Sequence, residues 1–313
     1  MKDLESLYAA IDALSMEGGW HRKRPALWAE PRANFVPHLW RYADVKQVLE
    51  AAGPLVDHAM ADRRNLTLTN PAEGNWYATA RTLVAAYQSI RPGESADAHR
   101  HTPNALRIIL EGRGSYTVVN GVRVEMRPGD VLLTPSWHWH SHESIGPDEC
   151  FWVDVLDVPL VHLLEPMFFE RHPQKLEPSF TDMAVSPLAL RWEDSLRGLD
   201  TATAAPAHGT ASREFKLDAS PLKTMAVHAQ RLDAGLVTPQ YRTTSNAVYT
   251  VIEGAGVSRI GDRELQWQRG DLFVIPAWQP FEHRVSERAH FIRVSDEPVM
   301  QAFDFLRERS GAA

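Results

Sequence analysis

One pattern occurs twice in this chain, and it constrains the fold more than any single motif. Residues 105–119 (ALRIILEGRGSYTVV) are echoed by residues 246–260 (NAVYTVIEGAGVSRI), and both read as strand, Glu-Gly-x-Gly turn, strand. Each copy continues through a second turn (Asn120-Gly121; Gly261-Asp262), a short strand, a Gly-Asp pair (Gly129-Asp130; Gly270-Asp271) and a short run ending at Pro135 or Pro276. The spacing is about 141 residues throughout. Such self-similarity means two structural units of one kind. Val, Ile, Thr and Tyr dominate the flanking runs and Asn-Gly is a strong hairpin signal, so each copy predicts an antiparallel meander. Short strands with Gly-rich turns predict barrels or sandwiches, which hide their edges by closing or doubling a sheet. The expected class is all-β with a few peripheral helices.

The rest of the chain is organised around these copies. The stretch 201–212 (TATAAPAHGTAS) is small, polar and Pro/Gly-bearing, the composition of a linker. The expected division is an N-terminal helical or irregular segment over 1–60, a first unit over 61–200, that linker, and a second unit over 213–313. Residues 42–52 (YADVKQVLEAA) have apolar residues at helical spacing and stop at Gly53-Pro54, which predicts a short helix, and 299–309 reads as helical too. Lys and Arg number 33 against 40 Asp and Glu, a formal charge of −7 without a basic run, so no phosphate-tracking surface and no nucleic-acid partner is expected. Cys150 is the single cysteine, which excludes an intramolecular disulfide or a CxxC pair and suits a reducing cytoplasm. Neither a signal sequence nor an apolar run long enough for a membrane span is legible.

The chemistry concentrates in the first copy. Gly93-x5-His99-x-His101 precedes its first strand, and Gly129-x5-Pro135-x-Trp137-x2-His140 follows the meander. Residues two apart on a strand share a face, so His99 and His101 both point into a barrel, and His140 arrives from a second strand to complete one face of a metal. Three neutral nitrogens suit Zn, Fe, Ni or Cu as the divalent ion and leave coordination positions for substrate. The second copy has Gln240-Tyr241-Arg242 where the His-x-His belongs and Phe281 in place of the third histidine, so one metal per chain is expected.

These two segments resemble the two motifs of a cupin. The whole chain, over roughly residues 35 to 300, is similar to the bicupin ring-cleaving dioxygenases of the gentisate and salicylate 1,2-dioxygenase family. The most specific stretches are 62–71 (DRRNLTLTNP), Pro92-Gly93-Glu94 through Thr102, Ala105-Leu106-Arg107, 135–142 (PSWHWHSH) and 152–157 (WVDVLD). Ala105 and Leu106 stand where a generic cupin carries a glutamate ligand, which matches the three-histidine site of this family. The resemblance implies two tandem double-stranded β-helix (jelly-roll) barrels, and Fe(II), one per chain, on His99, His101 and His140. It implies an aromatic hydroxy-acid substrate that chelates through carboxylate and ring hydroxyl, with O2 as co-substrate. It implies further that the ring opens between the carboxyl- and hydroxyl-bearing carbons and that the protein is a homo-oligomer, a tetramer by family resemblance. Iron on three neutral imidazoles keeps its full charge, so the dianionic chelate neutralises it.

Further residues follow from this frame. Arg107 lies on the face that strand alternation assigns to the cavity, and an inward arginine needs an anion; the resemblance makes it the clamp on the substrate carboxylate. Arg63, or its neighbour Arg64, matches a second anion contact, and Gln88 a substrate-side hydrogen-bonding glutamine. His142 follows His140 by two and faces inward as a proton acceptor beside the metal, with a fourth metal ligand as its rival role. Asp154 is expected to orient one imidazole through its distal N–H, and His138, His228 and His283 to be structural. Val84 and Ala86 depart from the family's aromatic-x-Gly ahead of the glutamine, which implies a pocket reshaped for something other than plain gentisate, such as a 5-substituted salicylate or a fused-ring hydroxy acid. A non-catalytic cupin that binds aromatic acids as a sensor is the reading from another class; an isomerase or hydrolase lacks an obvious inward carboxylate base.

Overall fold

The computed structural model describes residues 2–21, 26–32, 34–56, 61, 64–177, 180–183, 185–202, 206 and 208–311. Residues 1–32 and 33–313 form two compact units. In the first, Asp3 caps the helix Leu4–Ala13 by accepting the Ser6 N–H at 2.8 Å. The second holds both repeats as tandem jelly-roll barrels.

The first barrel is built from two six-stranded sheets, and the second from one nine-stranded sheet. That sheet is continuous because the long strands Ala247–Ile260 and Phe281–Ser295 run through both of its halves. Alternation decides which side chains go where. Along Ala105–Glu111, Leu106, Ile108 and Leu110 enter a core shared with Val248, Ile252, Ile292 and Val294 of the second barrel. Ile109, of opposite parity, joins Ile90, Leu132 and Trp152 inside the first barrel. In the second barrel Tyr249, Val251, Phe273 and Phe291 fill the interior. Both faces of Ala105–Glu111 are therefore covered, so the strand is buried almost throughout.

Each Gly-Asp turn anchors a helix that comes from the other side of the sequence. Strand His38–Trp40, which precedes the first barrel, pairs with Leu272–Ile275 of the second. The helix Tyr42–Ala52 then starts on Asp271, whose carboxylate accepts the Tyr42 N–H at 2.9 Å and Arg41 Nη1 at 3.0 Å. Strand Ala189–Leu190 and helix Trp192–Thr201 repeat this on the first barrel, where Asp130 accepts the Trp192 N–H at 2.9 Å and Arg191 Nη1 at 2.5 Å. The glycine of each pair leaves room for the aromatic ring: a Cβ on Gly270 would come within 2.3 Å of Tyr42 and one on Gly129 within 2.5 Å of Trp192. Asp271→Ala would strand the buried Tyr42 N–H and is expected to cost about 1–3 kcal/mol of unfolding free energy. Urea titration measures this, and an unshifted midpoint would show that the clasp does not hold the barrels.

The helix over Tyr42–Ala52 lies where the sequence predicts it. The one expected over 299–309 is shorter: it spans Glu297–Ala302, Asp304 turns with a positive φ of 56°, and Glu308–Ser310 becomes an edge strand against Tyr241–Thr243. Backbone groups on that open edge win over local helical propensity. Part of the expected linker, 203–205 and 207, and Arg63 lie outside the described residues. Among the described residues no helix is long and apolar enough to cross a membrane.

Candidate metal centre and active site

Strand Ser95–His101 carries His99 and His101, and its neighbour His140–Ser144 carries His140 and His142. Pairing sets His99 directly opposite His140. The candidate ligand nitrogens of His99, His101 and His140 lie within 4.8 Å of one another. Ring centroids are 4.3 Å apart for His99 and His140 and 4.9 Å for His101 and His140.

The backbone fixes which nitrogen each ring presents. Nδ1 of His99 meets the Asp97 carbonyl at 3.0 Å, that of His101 the Pro103 carbonyl at 2.8 Å, and that of His140 the His138 carbonyl at 3.0 Å. A carbonyl only accepts, so each Nδ1 carries a proton and each Nε2 is turned toward the site, the orientation a metal needs. His140 Nε2 is buried with no hydrogen-bond partner. Burial above all, then His99, Arg107 and His101, holds the His140 imidazole well below its ordinary pKa, so it stays neutral. An orphaned nitrogen, a neutral His140 ring and a three-nitrogen donor set fit a divalent transition metal.

Behind the triad lies a buried polar network. Arg107 is 1 % exposed, donates from Nη1 to Thr134 Oγ1 at 2.7 Å and places Nε 3.3 Å from Asp154 Oδ1. Gln88 Nε2 donates to Asp154 Oδ2 at 2.5 Å, and the Trp152 indole N–H donates to Oδ1 at 3.0 Å. Asp154 thus holds Arg107, Gln88 and Trp152, whereas backbone carbonyls orient the three imidazoles in the role expected of it. The reason is positional: Asp154 pairs across the sheet with Arg107 on one side and Ala86 on the other, in the sheet opposite the histidines.

Val84, Ala86 and Gln88 alternate on one face of the strand Val84–Ile90 and all are buried. His142 is fully buried, its ring 6.2 Å from His140 and 5.8 Å from Trp152. Arg64 is committed to Glu94, with Nη1 2.7 Å from Oε2. His138 turns Nδ1 to the Ser136 carbonyl, His283 bonds Ser258, and His228 faces Arg293. Sequence reasoning missed Thr134 and Trp152. Trp152 carried a signal, since it precedes Asp154 by two on one strand; Thr134 ends the apolar run before Pro135 and carried none.

In the second barrel Tyr241 stands opposite Phe281 as His99 stands opposite His140. This register makes Tyr241 and Thr243 the counterparts of His99 and His101, one residue along from the Gln240 and Arg242 expected.

Two jelly-roll barrels with, among the described residues, one three-histidine site define a bicupin metalloenzyme. Residues 86–156 match the profile of the cupin domain family. The chain is 34% identical to a gentisate 1,2-dioxygenase from a Streptomyces species over 99% of this chain and 96% of that one, and 33% identical to a 5-aminosalicylate 1,2-dioxygenase from a Comamonas species over 99% and 91%. It superposes on the crystal structure of a salicylate 1,2-dioxygenase from Pseudaminobacter salicylatoxidans with a TM-score of 0.88 at 29% identity, covering 99% of this chain and 97% of that one. The protein belongs to the gentisate and salicylate 1,2-dioxygenase family and is a ring-cleaving dioxygenase with a metal cofactor.

Proposed function

We propose that the metal is Fe(II), one per chain on His99, His101 and His140, and that the substrate is a 2-hydroxybenzoate cleaved between its carboxyl- and hydroxyl-bearing carbons. The observation that carries this is the convergence of three Nε2-presenting imidazoles in the same barrel as a buried arginine. Dioxygen chemistry needs a redox-active ion, which sets iron above zinc. When bound, Fe(II) would supply a redox-active Lewis acid to a chelating carboxylate and hydroxyl and to dioxygen.

The protein's residues do the rest. Arg107 meets the carboxylate with its plane held by Thr134 and Asp154, and Arg63 is the second anion contact. Gln88, anchored on Asp154, donates toward the substrate's oxygens. His142 accepts the proton of the ring hydroxyl, and its burial keeps that proton from bulk water. Val84 and Ala86 form a wall without an aromatic ring, which favours a 5-substituted salicylate or a fused-ring acid over plain gentisate. We place the catalytic barrel in 61–200 and the metal-free one in 213–313. Exposed Leu163, Phe168, Phe169 and Val185 support a homo-oligomer, and the lone buried Cys150 suits the cytoplasm.

Dioxygen uptake by Fe(II)-loaded protein tests this reading against gentisate, salicylate, 5-amino- and 5-nitrosalicylate and 1-hydroxy-2-naphthoate. Uptake matching the loss of one of the other acids in preference to gentisate is expected. A clear gentisate preference would overturn the reshaped wall, and no uptake with any of them despite bound iron would overturn the substrate class.

A further inference from the structure

The second barrel keeps a cavity where the first keeps its metal. Strand registers establish the correspondence: Tyr249 pairs with Arg293 as Arg107 pairs with Asp154, and His228 pairs with Arg293 as Ala86 pairs with Asp154. Tyr241, Thr243 and Phe281 take the places of the imidazoles. The space these side chains line measures about 240 Å³, and Glu214, Glu297 and Glu308 complete its wall. No imidazole stands in the triad positions, and the phenyl ring of Phe281 offers no ligand atom there. The volume is below the roughly 300–1,000 Å³ of sites for drug-sized ligands, so an occupant is small.

Its chemistry follows from its charged groups. Arg293 is 13% exposed, and its Nη2 lies 3.1 Å from Nδ1 of His228, whose imidazole burial holds neutral, at a pKa of about 2. Arg293 Nε is buried with no hydrogen-bond partner. Its carboxylate neighbours stand beyond hydrogen-bonding reach, Glu297 at 3.6 Å and Glu214 at 3.8 Å from Nη2. Glu308 accepts the Tyr241 hydroxyl and lies 3.3 Å from Nε2 of His208. Arg293 Nε therefore awaits an acceptor oxygen, and the carboxylates outnumber the one buried cation, although Glu214 accepts Gln230 Nε2 at 2.5 Å and Glu297 accepts Gln301 Nε2 at 2.9 Å. A simple anion would deepen the negative excess, and a simple cation would leave Arg293 unmet. A molecule carrying both charges answers both demands.

We propose that this cavity is a metal-free binding site for a small α-amino acid. Its carboxylate pairs with Arg293, its ammonium lies between Glu214 and Glu297, and its side chain packs on Tyr249 and Phe281. The second barrel is then a ligand-binding domain as well as a scaffold.

The test is isothermal calorimetry and thermal unfolding of the iron-loaded full chain with each proteinogenic L-amino acid in turn. At least one is expected to bind one per chain and raise the melting temperature, as any ligand selective for the native state does. Arg293→Lys and Glu297→Gln should each weaken that binding about tenfold or more while iron content and ring-cleavage turnover stay as in the parent. Glu297 is the more exposed of the two, at 19% against 13%, so its variant remains informative if Arg293→Lys misfolds. The proposal is overturned if no amino acid binds, if binding survives Glu297→Gln unchanged, or if it disappears in His140→Ala, which would place it at the metal.

Discussion

His140→Ala is expected to abolish ring cleavage and empty the metal site while leaving both barrels folded. Losing an outer hydrogen-bond partner of a ligand already costs about 10–100-fold in metal affinity or activity, and this substitution removes a ligand itself. Two imidazoles at His99 and His101 cannot complete one face of an octahedral ion. The fold should tolerate the change because His140 Nε2 makes no hydrogen bond and Nδ1 contacts only the carbonyl of His138. Metal analysis per chain, dioxygen uptake and circular dichroism read the outcome together. A folded variant that keeps both its metal and its turnover would sink the three-histidine assignment.

Arg107→Met is the second large effect, and it acts on stability and catalysis together. Asp154 is 2 % exposed, and removing its cation leaves a buried carboxylate held only by the Gln88 and Trp152 donors. Breaking a buried pair from one side costs about 3–5 kcal/mol. The double variant Arg107→Met/Asp154→Leu removes both charges and should regain most of that stability, since apolar replacements of buried pairs are often neutral. It should not regain turnover. A fall of about 100-fold or more in kcat/KM in Arg107→Met, larger than the fall in Asp154→Asn, separates the carboxylate clamp from the structural pair. Full recovery of turnover with stability would make Arg107 purely structural.

Much of this protein was legible because its signals are local. Strand period two put His99 with His101 and His140 with His142, and the Gly and Pro spacings placed those strands in one barrel motif. Gln240, Arg242 and Phe281 in place of imidazoles gave the expectation of a second barrel without a metal, and the register moved the first two positions to Tyr241 and Thr243. The partner of Asp154 was not legible, because the strand carrying it lies in the sheet opposite the histidines and its neighbours come from residues 88, 107 and 152. Arg64 looked interchangeable with Arg63 until Glu94, thirty residues away, claimed it.

Residues adjacent along the chain thus settled the barrel type, the metal triad and the chemistry they serve, since short-range spacing on a strand dictates which side chains share a face. Tertiary structure alone decided that His38–Trp40 pairs with the second barrel and Tyr42–Ala52 starts on Asp271 while packing on the barrel they precede, and that Arg293 inherits the place of Asp154. Both depend on pairing between strands far apart in sequence, where register is set by packing two closed sheets against one another and no local pattern records the partner.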